Sequence, residues 1–250
     1  MLTAKERAPL REEIAGFCRL LVLSRNVVRL CEEEATPKQE EFLHRVLAEE
    51  LEGRERNRKS RLLARAGFPV FKTLDGFEMR GIRLPDSLPP AELRDVAFIR
   101  DKRNLVLYGP VGTGKTHLAI ALGIQACELG FQVRFFTVTE LVLRLAEAHR
   151  SGTLERLLKD IRQAQLLVLD EWGYVPVDRE GSQLLFRIIS DAYETRSLVI
   201  TTNLEFSRWG SVFTDDQMAA AMIDRLAHHG HLVVFEGTSY RMEHALMKKK

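Results

Sequence analysis

One stretch constrains the fold of this chain more than any other: residues 104–116, which read NLVLYGPVGTGKT. Residues 105–108 (LVLY) predict a short buried strand, and a glycine-rich turn follows directly. The turn matches the GxxxxGK[ST] pattern, with Gly109, Gly114, Lys115 and Thr116 at its fixed positions. A bare turn between strand and helix is the alternative. The complete match favours a phosphate-binding loop within an α/β sheet.

The loop supplies what a polyphosphate requires. Glycines let backbone N–H groups approach an anion, because no Cβ blocks the way and unusual φ values are accessible. Lys115 brings a positive charge to the β- and γ-phosphates, and Thr116 brings a hydroxyl ligand for Mg²⁺. The helix that begins there directs its positive dipole end at the anion. We expect nucleotide contacts from Gly109, Pro110, Val111, Gly112, Thr113, Gly114, Lys115, Thr116 and His117.

Net charge and cysteine usage limit the remaining possibilities. The formal net charge is only +2, so any nucleic-acid surface must be a local patch. Cys18, Cys31 and Cys127 form no C-x-x-C pair, and we expect reduced core or interface thiols rather than a zinc site or disulfides. With no apolar signal sequence or membrane-spanning run apparent, we expect a cytoplasmic protein.

The chain before the loop predicts a helical region and a connection. Residues 1–67 predict a small N-terminal helical domain, in which Thr36 and Gln39 have the spacing of a capping box. Prolines and glycines in residues 68–90 indicate a linker, and residues 91–250 form the predicted nucleotide-binding domain. A basic run, offset in its own span only by Glu55, is either a solvated helix face or a phosphate-contacting surface. Its DNA-binding candidates are Arg54, Arg56, Arg58, Lys59 and Arg61.

Strands and helices alternate after the loop. Residues 132–137, 166–169, 198–202 and 231–235 predict four further strands, separated by helical segments. Residues 166–169 (LLVL) are apolar throughout, as in a strand covered on both faces. The alternation predicts a parallel sheet with helices on both sides.

Polar residues at two strand ends complete the predicted site. Asp170 follows an apolar strand and can share the Mg²⁺ shell with Thr116. Glu171 beside it can orient the attacking water or accept its proton. Asn203 follows the next strand and either contacts the γ-phosphate or is an ordinary turn residue.

Basic and histidine side chains cluster near the last strand. Arg225 either reaches into a neighbouring subunit's site or complements a helix dipole. Arg241 either contacts the phosphates of its own chain or lies on the surface. His228, His229 and His231 are close in sequence, but no carboxylate or cysteine completes a ligand set at the usual spacing, so we expect no metal cluster there.

The motifs occur in the order GPVGTGKTHLA, LLVLDEWG, ITTN, IDRLAHHG and FEGTSYR. This series resembles the IstB-like transposition helper ATPases and, more distantly, DnaC-type helicase loaders and AAA+ initiators. The resemblance covers about residues 36–241. It implies an α/β AAA+ P-loop NTPase fold with a parallel five-stranded sheet in the order 5-1-4-3-2, flanked by helices. It also implies a small N-terminal helical domain.

The same resemblance implies roles and partners. Asn203 corresponds to sensor one, Arg225 to the arginine finger and Arg241 to sensor two, with ATP and Mg²⁺ as ligands. The resemblance further implies homo-oligomers that bind ATP between subunits, form on double-stranded DNA and serve the transposase of the same mobile element. The helices of residues 139–164 resemble a DNA-facing insertion, which adds Arg144 and Arg150 as candidate contacts.

We therefore expect an ATP-hydrolysing, DNA-binding assembly factor that assists a transposase in target selection. A replicative helicase loader is the alternative, and capture of a helicase by residues 1–66 distinguishes it. A small-molecule kinase and a scaffold that does not hydrolyse ATP remain as further alternatives. A turnover assay without an acceptor separates both from the first hypothesis.

Overall fold

A computed structural model of the chain describes residues 4–174, 177–213 and 215–243. The chain divides into two units, one ending at Arg61 and the other beginning at Leu62. The division lies inside a single long helix. Residues 62–67, assigned to the helical domain from the sequence, and residues 68–90, interpreted as a linker, both belong to the second unit.

The first unit is helical. It consists of α1 (Ala4–Leu20), α2 (Arg25–Glu34) and the part of α3 (Pro37–Ala66) that ends at Arg61. The predicted capping box is present at the start of α3, where the Thr36 backbone N–H donates to Gln39 Oε1 at 2.8 Å. The core of this unit is formed by Ile14, Cys18, Leu21, Cys31 and Leu47.

A buried carboxylate ties α1 to α3 within this unit. Glu40 is fully buried and accepts hydrogen bonds of 2.7 Å from both Arg7 and Arg11. The hydrogen bonds from Arg7 hold the pKa of Glu40 below its usual value, against the effect of burial. A paired and hydrogen-bonded buried charge is tolerated where a lone one is not.

The second unit is built on a six-stranded sheet in the order β1-β6-β2-β5-β4-β3. The five strands from β2 to β6 are mutually parallel and have the predicted order, which confirms the predicted α/β fold. The strands are β1 (Ile82–Arg83), β2 (Asn104–Tyr108), β3 (Val133–Thr137), β4 (Leu166–Trp172), β5 (Ser197–Thr202) and β6 (Gly230–Phe235).

The predicted number of strands, five, was wrong by one. The sixth strand, β1, pairs antiparallel with β6, with Ile82 opposite Phe235 and Arg83 opposite Val234. It lies inside the proline- and glycine-rich segment interpreted as a linker. Two residues carry no periodicity that a sequence pattern can detect. This short strand covers the edge that β6 would otherwise expose.

Helices cover both faces of the sheet. Along β4, Leu167 and Leu169 join one apolar cluster while Leu166 and Val168 join the other. Among the described residues, no helix is long and apolar enough to cross a bilayer. The helices of this unit after α3 are α4 (Pro90–Arg94), α5 (Lys115–Glu128), α6 (Val138–Arg150), α7 (Leu154–Arg162), α8 (Arg179–Ala192), α9 (Gly210–Phe213), α10 (Asp216–His228) and α11 (Tyr240–Glu243).

Candidate nucleotide-binding site

The glycine-rich loop joins β2 to α5, as its sequence predicts. Gly112 (φ 83°) and Gly114 (φ 100°) adopt left-handed conformations that residues with a Cβ rarely reach. A Cβ at Gly109 would lie 2.4 Å from Phe235 O, and one at Gly112 would lie 2.1 Å from Ser239 Oγ. Glycine is therefore required both by the backbone conformation and by close approach of the chain that follows β6.

Lys115 is folded onto this loop. Its Nζ donates hydrogen bonds to Gly109 O at 2.7 Å and to Pro110 O at 2.6 Å. Burial lowers the pKa of Lys115 to about 8, with Asp170 acting in the opposite direction and Arg241 adding to the decrease. The ammonium group is thus short of compensating negative charge, which a bound polyphosphate supplies.

Asp170 faces the start of α5 from two strands away. The strand β5 lies between β2 and β4, which is the one intervening strand that the predicted arrangement requires. Asp170 is only 4% exposed, and its Oδ1 accepts hydrogen bonds from Thr116 Oγ1 at 2.9 Å and Thr201 Oγ1 at 2.5 Å. The structure therefore brings Thr116 and Asp170 together as the sequence predicts.

A β-bulge separates the two acidic side chains. Leu169 pairs with Ile200 and Trp172 pairs with Thr202, so Asp170 and Glu171 together oppose Thr201. Glu171 has φ 61°, a left-handed conformation that costs a non-glycine residue roughly 1–2 kcal/mol. Its side chain is exposed while that of Asp170 is buried. The bulge thus directs two neighbouring carboxylates to different places.

Thr201 holds this bulge in place. Its Oγ1 donates to Asp170 and accepts the Glu171 backbone N–H at 3.0 Å. Thr201 was not among the residues predicted for the site, because a threonine near the end of a strand carries no specific signal by itself. The only available signal was the run of polar residues at 201–203 beside the acidic strand end.

Asn203 follows β5 directly. Its Oδ1 is buried and has no hydrogen-bond partner among the described residues. A buried acceptor without a partner costs about 1–3 kcal/mol, so such atoms in native proteins usually serve a ligand or water. This placement agrees with the predicted contact to the γ-phosphate or its water.

The chain after β6 returns to the loop. The Tyr240 backbone N–H donates to Gly112 O at 3.1 Å, which places α11 next to the phosphate-binding loop of its own chain. Arg241 is exposed, and its charge is close enough to contribute to the lowered pKa of Lys115. The structure therefore brings Arg241 to the site in cis.

The segment before β2 borders the start of α5. The Thr73 carbonyl lies 3.2 Å from His117 Nε2, and the Phe77 ring lies 5.0 Å from the His117 ring. A Cβ on Gly114 would be in contact with Phe77. Residues 73–77 therefore form a wall beside the loop, in which the Phe77 ring is the apolar contact.

Arg225 is at the other end of the sheet. Its Nη1 donates to Ala221 O at 2.9 Å, and its guanidinium lies 5.0 Å from the centre of the Phe186 ring. The carbonyl of Leu226, the residue after Arg225, accepts a hydrogen bond from Asn104, the first residue of β2. The phosphate-binding loop begins after the last residue of β2. The length of the strand therefore separates the loop from the helical turn that carries Arg225 by roughly 16 Å, at 3.3 Å per residue.

The DNA-binding candidates lie on α3 and α6, and five of the seven are paired with carboxylates. Besides Glu55, which lies within the basic run, Glu49, Glu50 and Glu52 lie one or two turns earlier on α3 and offset its charge. Exposed pairs of this kind are worth only about 0.3–0.5 kcal/mol. The contacts are Arg54–Glu50 (2.7 Å), Arg56–Glu49 (3.2 Å), Arg58–Glu55 (3.8 Å), Arg61–Asn57 O (3.3 Å), Arg144–Glu140 (2.6 Å) and Arg150–Glu147 (2.9 Å), with Lys59 half-buried on α3.

Comparison with known proteins gives a consistent result. The profile of the family described as "IstB-like ATP binding protein" matches residues 22–248. A Pseudomonas aeruginosa protein named for ATP binding in insertion sequence IS21 is 38% identical over 223 residues, covering 88% of this chain and 84% of the relative. A Geobacillus stearothermophilus protein named for ATP binding in insertion sequence IS5376 is 34% identical over 210 residues, covering 84% of each chain.

Solved structures agree on the fold. The DnaC helicase loader superposes with a TM-score of 0.54 at 23% identity, over 66% of this chain and 96% of that one. AMPPCP-bound DnaA from Aquifex aeolicus superposes with a TM-score of 0.52 at 23% identity, over 66% of this chain and 49% of that one. At this level of identity the likeness establishes a shared fold.

Proposed function

Since this chain belongs to the IstB-like ATP-binding protein family and is an AAA+ ATPase, we propose that it assembles on double-stranded DNA with ATP bound between its subunits. In that state it assists the transposase of its own insertion sequence in selecting a target. The observation that carries the proposal is the position of Arg225 at the opposite end of β2 from the phosphate-binding loop. Within a single chain, Arg225 of α10 therefore lies away from the γ-phosphate end of the site.

The loop and the start of α5 hold the triphosphate. Backbone N–H groups of residues 111–116 surround the phosphates, Lys115 neutralises their charge, and Arg241 approaches from α11 of the same chain. The wall formed by residues 73–77, together with His117, lies where an aromatic base can pack. The loop glycines let the loop pack closely against Phe235, Ser239 and Phe77, which any Cβ would prevent or strain.

The residues beside the loop suit a magnesium ion. The Thr116 hydroxyl and the Asp170 carboxylate are 2.9 Å apart, and Mg²⁺ prefers such oxygen ligands. Bound Mg²⁺ supplies neutralisation of the negative charge on the β- and γ-phosphates. Asp170 and Thr116 are the residues that would hold it.

Hydrolysis uses the exposed carboxylate. Glu171 accepts a proton from the attacking water or orients that water, while Asn203 contacts the water or the γ-phosphate through its side-chain amide. Thr201 keeps Glu171 in its left-handed backbone conformation, so the carboxylate turns away from Asp170. Separate orientations give the two acids separate tasks.

Arg225 completes the site of a neighbouring subunit. A guanidinium that reaches the γ-phosphate stabilises the charge developing in the transition state. Its present contacts, a helix carbonyl and the face of Phe186, are weak enough to be exchanged for a phosphate. The consequence is an assembly that depends on ATP and is dismantled by hydrolysis.

DNA contacts come from two exposed basic faces. One carries Arg54, Arg56, Arg58, Lys59 and Arg61 on α3, and the other carries Arg144 and Arg150 on α6. Each phosphate contact releases counterions, so affinity falls as salt rises. The relatives are named for insertion sequences, which supports a transposase as the protein partner and a cytoplasmic location.

A mixing experiment tests the shared site. The Lys115→Ala variant keeps Arg225 but cannot bind the phosphates in its own loop. The Arg225→Ala variant keeps its phosphate-binding loop but cannot supply the arginine to a neighbour. We expect each to be nearly inactive alone on duplex DNA and the mixture to recover part of the ATPase activity. Arg187→Ala, another arginine on a helix of the same unit, is the matched control and retains full turnover.

Absence of recovery in the mixture, with both variants folded, would refute the shared site. Full turnover by Arg225→Ala alone would do the same. Electron microscopy of the wild type with duplex DNA and a slowly hydrolysed ATP analogue then shows whether copies assemble along the duplex. Capture of a replicative helicase instead of the transposase would move the assignment to the helicase-loader alternative.

A further inference from the structure

We propose that Glu194, His228 and His229 form a binding site for a transition-metal ion of the Zn²⁺ class at the C-terminal end of α10. Ligand atoms of all three side chains lie within 4.8 Å of one another. From the sequence, no metal cluster is expected at His228, His229 and His231, because no carboxylate or cysteine stands at ligand spacing. The missing carboxylate comes from Glu194, 35 residues before His229, and His231 is instead buried against Ser87.

The local backbone makes the two imidazoles converge. Consecutive residues on a regular helix point about 100° apart, which would separate the rings. His228 is the last residue of α10, and His229 has already left the helix with φ −118° and ψ 34°. The two ring centroids are consequently only 4.3 Å apart.

Glu194 is brought to the same place by the turn after α8. Its backbone is left-handed, with φ 55°, a conformation that costs a glutamate roughly 1–2 kcal/mol. The carboxylate Oε1 ends 3.1 Å from His229 Nε2. Glu194 directly follows the C-cap of α8, a position where a left-handed residue commonly ends a helix, and this helix end places the carboxylate beside the two histidines.

Tyr193 orients the first histidine. Its hydroxyl lies 2.9 Å from His228 Nδ1, which leaves Nε2 as the ligand atom. The Tyr193 ring also packs against both imidazoles, with centroid distances of 6.1 and 5.7 Å. Metal-binding histidines characteristically use their second nitrogen in this way, because the hydrogen bond fixes the ring orientation.

The donor set selects the class of ion. Two imidazole nitrogens and one carboxylate oxygen are ligands of Zn²⁺, whereas Mg²⁺ and Ca²⁺ prefer oxygen ligands throughout. Bonds of about 2.1 Å in tetrahedral geometry place ligand atoms roughly 3.4 Å apart, so modest side-chain rotation closes the site.

Titration of the full-length, untagged protein with Zn²⁺ tests this site after treatment with a chelator. We expect one equivalent bound by isothermal titration calorimetry, in the presence of excess Mg²⁺. Co²⁺ in place of Zn²⁺ should give the visible absorption of a site with nitrogen ligands. Glu194→Gln and His229→Asn should each weaken binding by at least the roughly 10–100-fold that losing a hydrogen-bonding partner of a metal ligand costs, because each removes a ligand itself.

Two control variants keep the result specific. His149→Asn disrupts an exposed histidine–glutamate pair, with Glu180 at 2.5 Å, and should leave Zn²⁺ binding unchanged. Lys115→Ala should also retain it, because Lys115 lies on the phosphate-binding loop and supplies none of the three ligands. A wild type that binds no Zn²⁺ equivalent overturns the proposal, as does unchanged affinity in folded Glu194→Gln and His229→Asn.

Discussion

Thr201 donates a 2.5 Å hydrogen bond to Asp170 and receives one from the backbone of the next residue along β4. A single hydroxyl thereby fixes both the buried carboxylate of Asp170, which faces Thr116, and the backbone of Glu171, whose carboxylate is exposed. These two contacts occupy the Thr201 hydroxyl. We therefore regard it as a positioning residue for ATP hydrolysis.

Replacing Thr201 with valine keeps the shape of the side chain and removes both hydrogen bonds. Hydrogen bonds to charged groups contribute about 1.5–3 kcal/mol, so we expect turnover to fall by roughly tenfold or more with little change in KM for ATP. Thr201→Ser retains the hydroxyl and should restore most of the activity. Equal loss in both variants, or a change in KM alone, would contradict the positioning role.

The lowered pKa of Lys115 predicts how ATP affinity depends on pH. In the free protein the pKa is about 8, and a bound polyphosphate raises it. Above pH 8 the free amine is neutral and must take up a proton for binding, so we expect affinity to decrease between pH 8 and 9.5. Lys115→Arg stays charged throughout and should show a flatter profile in a fluorescent-nucleotide titration.

The same lowered pKa has a consequence for the stability of the nucleotide-free protein. A lysine whose pKa is lower in the folded state binds more protons when unfolded, so folding becomes more favourable as pH rises from about 8 to 10.5. In Lys115→Met the part of this rise due to Lys115 should be missing. Denaturant unfolding curves at several pH values, compared between the two proteins, measure the difference directly.

Glu171→Gln separates ATP binding from hydrolysis. Its backbone hydrogen bond to Thr201 is unaffected, and the amide cannot accept the water's proton. We expect ATP binding to be retained and turnover to decrease by roughly 10²–10⁴-fold, the usual contribution of a general base. Assemblies on duplex DNA should then persist with ATP itself; rapid disassembly in this variant would argue against Glu171 as the base.

The basic face of α3 predicts a salt effect on DNA binding. Arg58→Ala removes one charge, so the slope of log K against log salt should decrease in magnitude by about 0.9. Arg29→Ala, an exposed arginine on α2 paired with Glu33, is the matched control and should leave the slope unchanged. Equal effects of the two substitutions, measured by fluorescence anisotropy on duplex DNA, would rule out a specific contact by Arg58.

The pattern of this sequence was sufficient to predict the five parallel strands β2 to β6 and the phosphate-binding loop between β2 and α5, but not the edge strand β1. The GxxxxGK[ST] match, the apolar strand before Asp170 and the strand–helix alternation are all local features that dictate backbone geometry over a few residues. Parallel strands connected by helices have few possible arrangements, so the order of β2 to β6 followed from the resemblance and agrees with the structure.

Only the tertiary structure revealed the relationships between residues distant in the chain. The bulge held by Thr201, the edge strand β1, the approach of Ser239 to Gly112 and the meeting of Glu194 with two histidines each join segments far apart in sequence. Such contacts depend on where packed elements place their ends, which no local periodicity encodes. The sequence by itself determined which chemical groups the site contains, and the packing of the sheet and its helices decided which of them lie next to one another.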